Sequence, residues 1–143
     1  MNADRSTQSS QRVTLAVAHD IIASARREAE AIGVAMNIAV VDEGNNLVAF
    51  ERMDGAWLGS IDIAQGKAYT ARAFDMPTKD LAPLAAPGSP LFGIQASNGG
   101  RLVIFAGGIP LERGGEVVGA VGVSGGSVEQ DQAVAEAGAA AFA

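Results

Sequence analysis

The chain has 143 residues, of which 48% are hydrophobic, and its formal net charge is −6. This length and apolar content suffice for one domain with one core. The acidic balance argues against nucleic acid and anionic membranes as partners, because phosphate groups are bound by clustered lysine and arginine. Since the chain has no cysteine, disulfides, thiolate metal sites and thiol nucleophiles are excluded.

The beginning of the chain is polar and rich in serine and glutamine. Met1–Arg12 contains no apolar stretch of the length that a secretory signal needs, and no later stretch is long enough to span a membrane. We therefore expect a flexible tail over residues 1–12, a single domain over residues 13–143, and a cytoplasmic location.

The first half of the domain is predicted to contain a helix and a β-hairpin. Apolar residues recur at helical spacing over Thr14–Ile32, with the first residue as N-cap and Gly33 as the stop. A predicted strand rich in β-branched residues, Met36–Val41, and a returning strand, Leu47–Met53, flank a turn that contains glycine and asparagine.

A second helix is predicted over Leu58–Phe74, ending before Pro77. Small and apolar residues lie on both of its sides, so we expect the sheet to cover one side and a ligand or a neighbouring chain to cover the other. A short helical turn follows at Thr78–Leu84. The Ala85–Gly100 segment is predicted to be an ordered loop, and loops of that length are usually functional.

The last third is predicted to form three strands and a helix. The strands are Leu102–Phe105, Ile109–Glu112 and Glu116–Ser124, separated by glycine turns. The helix begins after Ser127, whose spacing to Gln130 matches a capping box. The element order predicts an α+β fold (mixed α/β), in which helices flank a five-stranded antiparallel sheet.

His19 is the only histidine, and helical geometry places it at the border of the apolar stripe, on the side of Arg26 and Glu30. It could ligate haem iron or move a proton, although an ordinary surface histidine is the simpler interpretation. No certain metal site is predicted, because one histidine cannot form an ordinary zinc site and no cluster of metal-ligating residues is present.

Lys67 is the only basic residue between Arg52 and Arg72, and it shares a helix side with Thr70. A lysine there could hold a substrate carboxylate or a haem propionate, or act as a base if desolvation lowers its pKa. An ion pair with Asp62 or another acid explains it equally well.

Gly125 and Gly126 lie between a predicted strand and the N-terminus of the last helix. Free backbone N–H groups and the helix dipole attract anions there, and glycine lets a ligand approach closely. A tight turn with a helix cap explains the same residues, since neither a Walker lysine nor a dinucleotide fingerprint follows.

A series of short motifs runs through the chain after the tail. The first half supplies Val40-Val41-Asp42, Arg52-Met53-Asp54-Gly55, Ser60-Ile61-Asp62-Ile63-Ala64, Lys67-Ala68 and Thr70-Ala71. The second half supplies Pro87-Gly88, Leu91-Phe92-Gly93, Asn98, Gly107-Gly108-Ile109-Pro110, Gly119–Gly126 and Val128–Asp131. In this order the motifs resemble the GlcG/HbpS family, which includes PduO C-terminal-like domains. The resemblance covers nearly all of the chain after the tail and is specific in combination.

The resemblance implies a profilin-like α-β-α domain with a five-stranded antiparallel sheet. It also implies a homo-oligomer whose ligand sites lie near subunit contacts. Family members include haem-binding proteins, domains attached to cobalamin adenosyltransferases, and proteins encoded beside glycolate or diol catabolism. Haem or a related tetrapyrrole is therefore the leading ligand.

Under the first hypothesis the chain is a haem-binding accessory protein. Lys67 or an arginine would pair with a propionate, and His19 or Thr70 would lie near the iron. The remaining candidate ligand-binding positions come from the matched motifs and are Asn98, Gly107, Gly108, Gly125 and Gly126.

The alternative is a cofactor-independent lyase or isomerase that acts on a small acidic metabolite. Lys67 would bind or activate the substrate, Asp62 or Glu51 would exchange protons, and the loop amides at 125–126 would stabilise a developing oxyanion. A third interpretation is an assembly or regulatory module without chemistry of its own.

Overall fold

The computed structural model describes residues 12–142, so the predicted tail lies outside the described residues except for Arg12. Over residues 12–142, four helices and four strands follow one another as one helix, two strands, two helices, two strands and one helix. In order they are α1 (Leu15–Ile32), β1 (Asn37–Asp42), β2 (Leu47–Arg52), α2 (Gly59–Phe74), α3 (Thr78–Leu84), β3 (Gly108–Arg113), β4 (Glu116–Ser124) and α4 (Val128–Ala140). Two short 3₁₀ turns, Ile94–Ala96 and Asn98–Gly100, lie in the loop before β3.

The capping residues predicted for the first and last helices are confirmed. The Thr14 hydroxyl accepts the N–H of Val17, and Gly33 ends α1 in the left-handed conformation, with φ 75°. Ser127 and Gln130 form a reciprocal capping box at the start of α4. These ends are fixed by local hydrogen bonds, which is why the sequence predicts them.

The strands form one antiparallel sheet in the order β2-β1-β4-β3, with helices on both faces. The side of the sheet that faces α1 and α4 carries the larger core, rich in valine and isoleucine. The side that faces α2 carries a thin core of small residues: Ala39, Val41, Ala64, Ala68, Ala71 and Ala120. The helix α2 therefore lies very close to the sheet.

The prediction of a fifth strand at Leu102–Phe105 is wrong, whereas the α+β class is confirmed with a four-stranded sheet. The segment is irregular and runs along α2, where Leu102 is buried and the N–H of Val103 donates to the Thr70 hydroxyl at 2.9 Å. Its apolar residues reflect burial against a helix, and periodicity alone does not distinguish such a segment from a short buried strand.

Gly122 of β4 permits the close approach of α2. A Cβ atom at this position would lie 2.1 Å from the carbonyl oxygen of Ala64 and 2.4 Å from the backbone nitrogen of Ala68. Both are backbone atoms of α2, so a side chain could be accommodated only if the whole helix moved.

We predict that Gly122→Ala lowers the free energy of unfolding by about 3 kcal/mol, because the added methyl group forces α2 away from the sheet. Gly59→Ala is the matched control, since a Cβ there meets nothing within 4 Å. Urea denaturation of both variants is the measurement. Equal stabilities would contradict the close packing of α2.

Candidate functional site

Lys67 is the centre of a buried polar cluster between α2, the end of β4 and α4. Its side chain is 0% exposed. The ammonium group donates to the carbonyl oxygen of Val123 at 2.9 Å and to Oδ2 of Asp131 at 2.8 Å. It also lies 4.8 Å from the centre of the Phe105 ring. Two oxygen acceptors and an aromatic face thus surround a group with three N–H bonds.

The Asp131 carboxylate is equally well supplied with partners. Its Oδ2 accepts from Lys67, and its Oδ1 accepts from the N–H groups of Gly125 at 3.1 Å and Gly126 at 2.9 Å. The amides considered above for a ligand anion therefore hold an anion of the chain itself. This arrangement corresponds to the second interpretation of Gly125 and Gly126 given above, a tight turn with a helix cap.

Burial lowers the pKa of Lys67 below its usual value, while the hydrogen bond and the charge of Asp131 oppose this effect. The acid in the ion pair is Asp131 and not Asp62, which is exposed. Because both members are buried, each would be strongly destabilising without the other. The arrangement indicates a structural ion pair that connects α2 to α4.

Gly107 and Gly108 make room for the Lys67 side chain and backbone. A Cβ at Gly107 would lie 2.8 Å from the lysine Nζ, and a Cβ at Gly108 would lie 2.4 Å from its carbonyl oxygen. Their N–H groups donate to Oε1 of Gln132 at 3.2 Å and to the hydroxyl of Thr78 at 2.9 Å. Both glycines thus have structural partners.

Thr70 is also buried and bonded within the chain. Its hydroxyl donates to the carbonyl oxygen of Gly66 at 2.6 Å and accepts the N–H of Val103 at 2.9 Å. The residue is 0% exposed, so it offers a ligand no surface. Its role here is to hold the segment before β3 against α2.

Asp62 and Asn98 belong to a different place, an open groove of about 490 Å³ along the outer flank of α2. Asp62, Tyr69 and Arg101 line this groove together with residues of the β1–β2 turn. Asn98 contacts the groove wall, because its Oδ1 accepts the hydroxyl of Tyr69 at 3.1 Å. Neither Tyr69 nor Arg101 belongs to a recognisable motif, so the sequence alone does not indicate them.

His19 lies apart from both places, exposed on α1 at the opposite face of the sheet from α2. Among residues 12–142 its imidazole has no hydrogen bond or ion pair. The residues three and four positions away from it on α1 are Leu15, Ala16, Ile22 and Ala23, of which Ile22 is buried. Leu15 is 56% exposed. The imidazole therefore projects from an apolar surface patch, named below the His19 patch.

The part of the chain that the structure describes holds no group of three or more histidine, cysteine or acidic side chains that could bind a metal ion. Over the same residues, every helix is too short or too polar to cross a membrane.

The fold and these surfaces define a small three-layer α/β/α domain with a histidine-bearing helix on one side and a groove on the other. Residues 13–140 match the family model described as "Haem degrading protein HbpS-like". The chain belongs to this family, which confirms the resemblance drawn from its motifs.

The chain is 44% identical over 124 residues to an uncharacterised 15.0 kDa protein from the dhaT-dhaS intergenic region of Citrobacter freundii, covering 87% of each chain. It resembles the crystal structure of Klebsiella pneumoniae protein ORFY, with a TM-score of 0.90 and 41% identity, over 92% of this chain and 91% of that one. It also resembles the crystal structure of a PduOC:heme complex, with a TM-score of 0.84 and 36% identity, over 86% of this chain and 89% of that one.

We predict that Lys67→Met lowers the free energy of unfolding by about 3–5 kcal/mol, because it leaves the Asp131 carboxylate buried without its cation. Lys79→Met is the matched control, since Lys79 is exposed on α3, and it should change stability by no more than about 0.5 kcal/mol. Chemical denaturation measures both.

The double variant Lys67→Met/Asp131→Asn separates the ion pair from general packing. A neutral amide keeps an acceptor for the glycine N–H groups without a buried charge, so the double variant should lose less stability than the sum of the two single variants. Additive losses would show that the two residues do not act as a pair.

Proposed function

We propose that this chain binds haem or a related tetrapyrrole in an accessory role, and that His19 ligates the iron. The observation that carries the proposal is the exposed, unbonded imidazole of the His19 patch. Imidazole is a common axial ligand of haem iron. The small side chains of Ala16 and Ala23 beside it leave room for a flat macrocycle against α1.

The relatives support the ligand class. The family is described as haem-degrading, and a similar solved structure is described as a heme complex. The chemistry of the patch agrees, because it offers one nitrogen ligand on an apolar surface, and no acid among residues 12–142 is bonded to the imidazole. Bound haem would supply the iron and its redox or ligand chemistry, while the chain supplies the nitrogen ligand and the apolar contact.

The buried candidates do not suit haem. Lys67 and Thr70 are both 0% exposed, so contact with either would require the core to open. An arginine on α1 is a better partner for a propionate. Arg26 follows His19 by seven residues on the same helix face, about 10 Å along the axis. It is held by Glu51 and by Glu30, whose carboxylate is 3.6 Å away and the more easily displaced.

A haem that lies on the convex surface of one helix has its other face in water. We propose that a second copy of this chain covers that face, so that the site is completed in a homo-oligomer. Other exposed apolar side chains are available for subunit contacts, notably Trp57 at 66% and Leu58 at 71% exposure before α2. The cytoplasmic location stays a prediction.

The lyase or isomerase hypothesis gains no support from the geometry. Lys67 is buried beside Asp131, Asp62 lies in the groove, and Glu51 pairs with Arg26 of α1. The three residues proposed to bind substrate and exchange protons are therefore in three separate places.

We predict that the purified protein gives a saturable, shifted Soret band on titration with hemin, and that His19→Ala weakens binding at least about tenfold, a loss of about 1.4 kcal/mol. The variant should also change the ligation state seen in the visible bands, because the axial nitrogen is lost. Asp20→Ala is the matched control, an exposed neighbour on the same helix.

Hemin also adheres to apolar surfaces without a defined site, so the comparison between the two variants decides the outcome. Equal affinity and equal spectra for His19→Ala and the wild-type protein would overturn the assignment of His19. Failure of the wild-type protein to saturate would overturn haem binding itself.

A further inference from the structure

The loop before β3 contains three successive residues in the left-handed conformation. Their φ values are 54° at Asn98, 65° at Gly99 and 77° at Gly100. Gly99 and Gly100 adopt this conformation readily because they lack a Cβ atom, whereas Asn98 is the one member of the run for which it is uncommon. Here the Tyr69 hydroxyl donates to Oδ1 of Asn98 at 3.1 Å, and the Asn98 amide nitrogen donates to the hydroxyl of Ser97 at 3.1 Å.

This left-handed turn fixes the direction of Arg101. The Nε–H of Arg101 donates to the carbonyl oxygen of Asn98 at 3.0 Å, and its guanidinium lies over the ring of Tyr69, 4.0 Å from the centroid. A side chain with several rotatable bonds is thus held at two points. The entropy cost of ordering this side chain is therefore incurred on folding and not on binding, which favours the binding of a further group.

Within the described part of the chain, the oriented guanidinium has no acid partner. Among residues 12–142 no carboxylate lies within 4.0 Å of Arg101, whereas Arg26 pairs with two carboxylates and Arg72 with one. Its terminal Nη groups therefore keep their donors, in the fork geometry that matches a carboxylate. Since Arg101 lines the groove on α2, these donors are available beside a cavity.

The rest of the groove offers acceptors and apolar walls. Asp62 has no hydrogen bond or ion pair within the described part of the chain. The Gln65 amide donates to Ile61, which leaves its oxygen as an acceptor. Asn45 donates to the carbonyl oxygen of Tyr69, while its own Oδ1 is buried without a partner in the groove wall. Apolar surface comes from Val41, Leu47, Ile63 and Val103.

We propose that this groove binds a small carboxylic acid that carries a hydroxyl or amino group. The ligand carboxylate pairs with Arg101, its hydroxyl or ammonium group donates to Asp62 or a neighbouring amide oxygen, and its carbon skeleton contacts the apolar wall. A volume of about 490 Å³ lies within the range of small-molecule sites. The site is on the opposite face of the sheet from the His19 patch, so it does not depend on haem binding.

Three probes with the same three-carbon skeleton test the proposal: propionate, lactate and alanine. They differ only in carrying hydrogen, hydroxyl or ammonium beside the carboxylate. Titration of the ¹⁵N-labelled protein should give saturable amide shifts at Gly66, Gly100 and Arg101, with lactate or alanine binding several-fold more tightly than propionate. Whichever of lactate and alanine binds more tightly identifies the second group of the ligand as a hydroxyl or an amine.

Arg101→Gln should weaken binding of the best probe about tenfold or more, because a charge-assisted fork is lost. Arg101→Lys keeps the charge without the fork and should be intermediate, while Arg27→Gln, an exposed arginine on α1, should bind as the wild-type protein does. Asp62→Asn should reduce the advantage of lactate or alanine over propionate. Each variant's unperturbed amide spectrum establishes that it is folded.

The proposal is overturned if none of the three acids gives saturable shifts in the groove. It is equally overturned if a folded Arg101→Gln variant binds as tightly as the Arg27→Gln control. A failed hemin titration has no bearing on either result.

Discussion

The buried ion pair between Lys67 and Asp131 is the interaction around which this end of the molecule is arranged. Two charges removed from water are tolerated only with complete hydrogen bonding, and here the carbonyl of Val123 and two glycine N–H groups complete it. The pair connects the helix on one face of the sheet to the helix on the other. Gly107 makes room for the ion pair, because a Cβ there would lie 2.8 Å from the lysine Nζ.

This arrangement decides where ligands can bind. In the sequence, the strongest candidates for a ligand site are a lysine among apolar neighbours and a glycine-rich turn before a helix. In the fold, Lys67 and the N–H groups of Gly125 and Gly126 all donate hydrogen bonds to Asp131. The two binding surfaces that we propose, the His19 patch on α1 and the groove on α2, both lie on the outside of the fold. The sheet separates these surfaces, so a flat iron-bearing ligand and a small acid need not compete.

The sequence predicts what local contacts determine and misses what distant ones determine. The caps at Thr14 and Ser127 involve partners three residues away, and both were predicted. No local pattern indicates the ion pair of Asp131, because its partner Lys67 is 64 positions away. The apolar pattern at 102–105 predicts a strand, but burial against a helix produces the same pattern. The sequence does not indicate Arg101, because the orientation of its guanidinium depends on the Tyr69 ring and on the turn at Asn98, which only the fold brings together.

The proposed haem-binding surface is the outer face of α1, and mapping a bound porphyrin onto the protein tests this most directly. Gallium protoporphyrin is a diamagnetic stand-in for haem, so its binding can be mapped by amide shifts in the ¹⁵N-labelled protein. We expect the largest shifts along α1 around His19 and Ala23, with little change at Gly66 and Gly100 in the groove. Shifts concentrated in the groove, or around Phe105 and Lys67, would contradict the account.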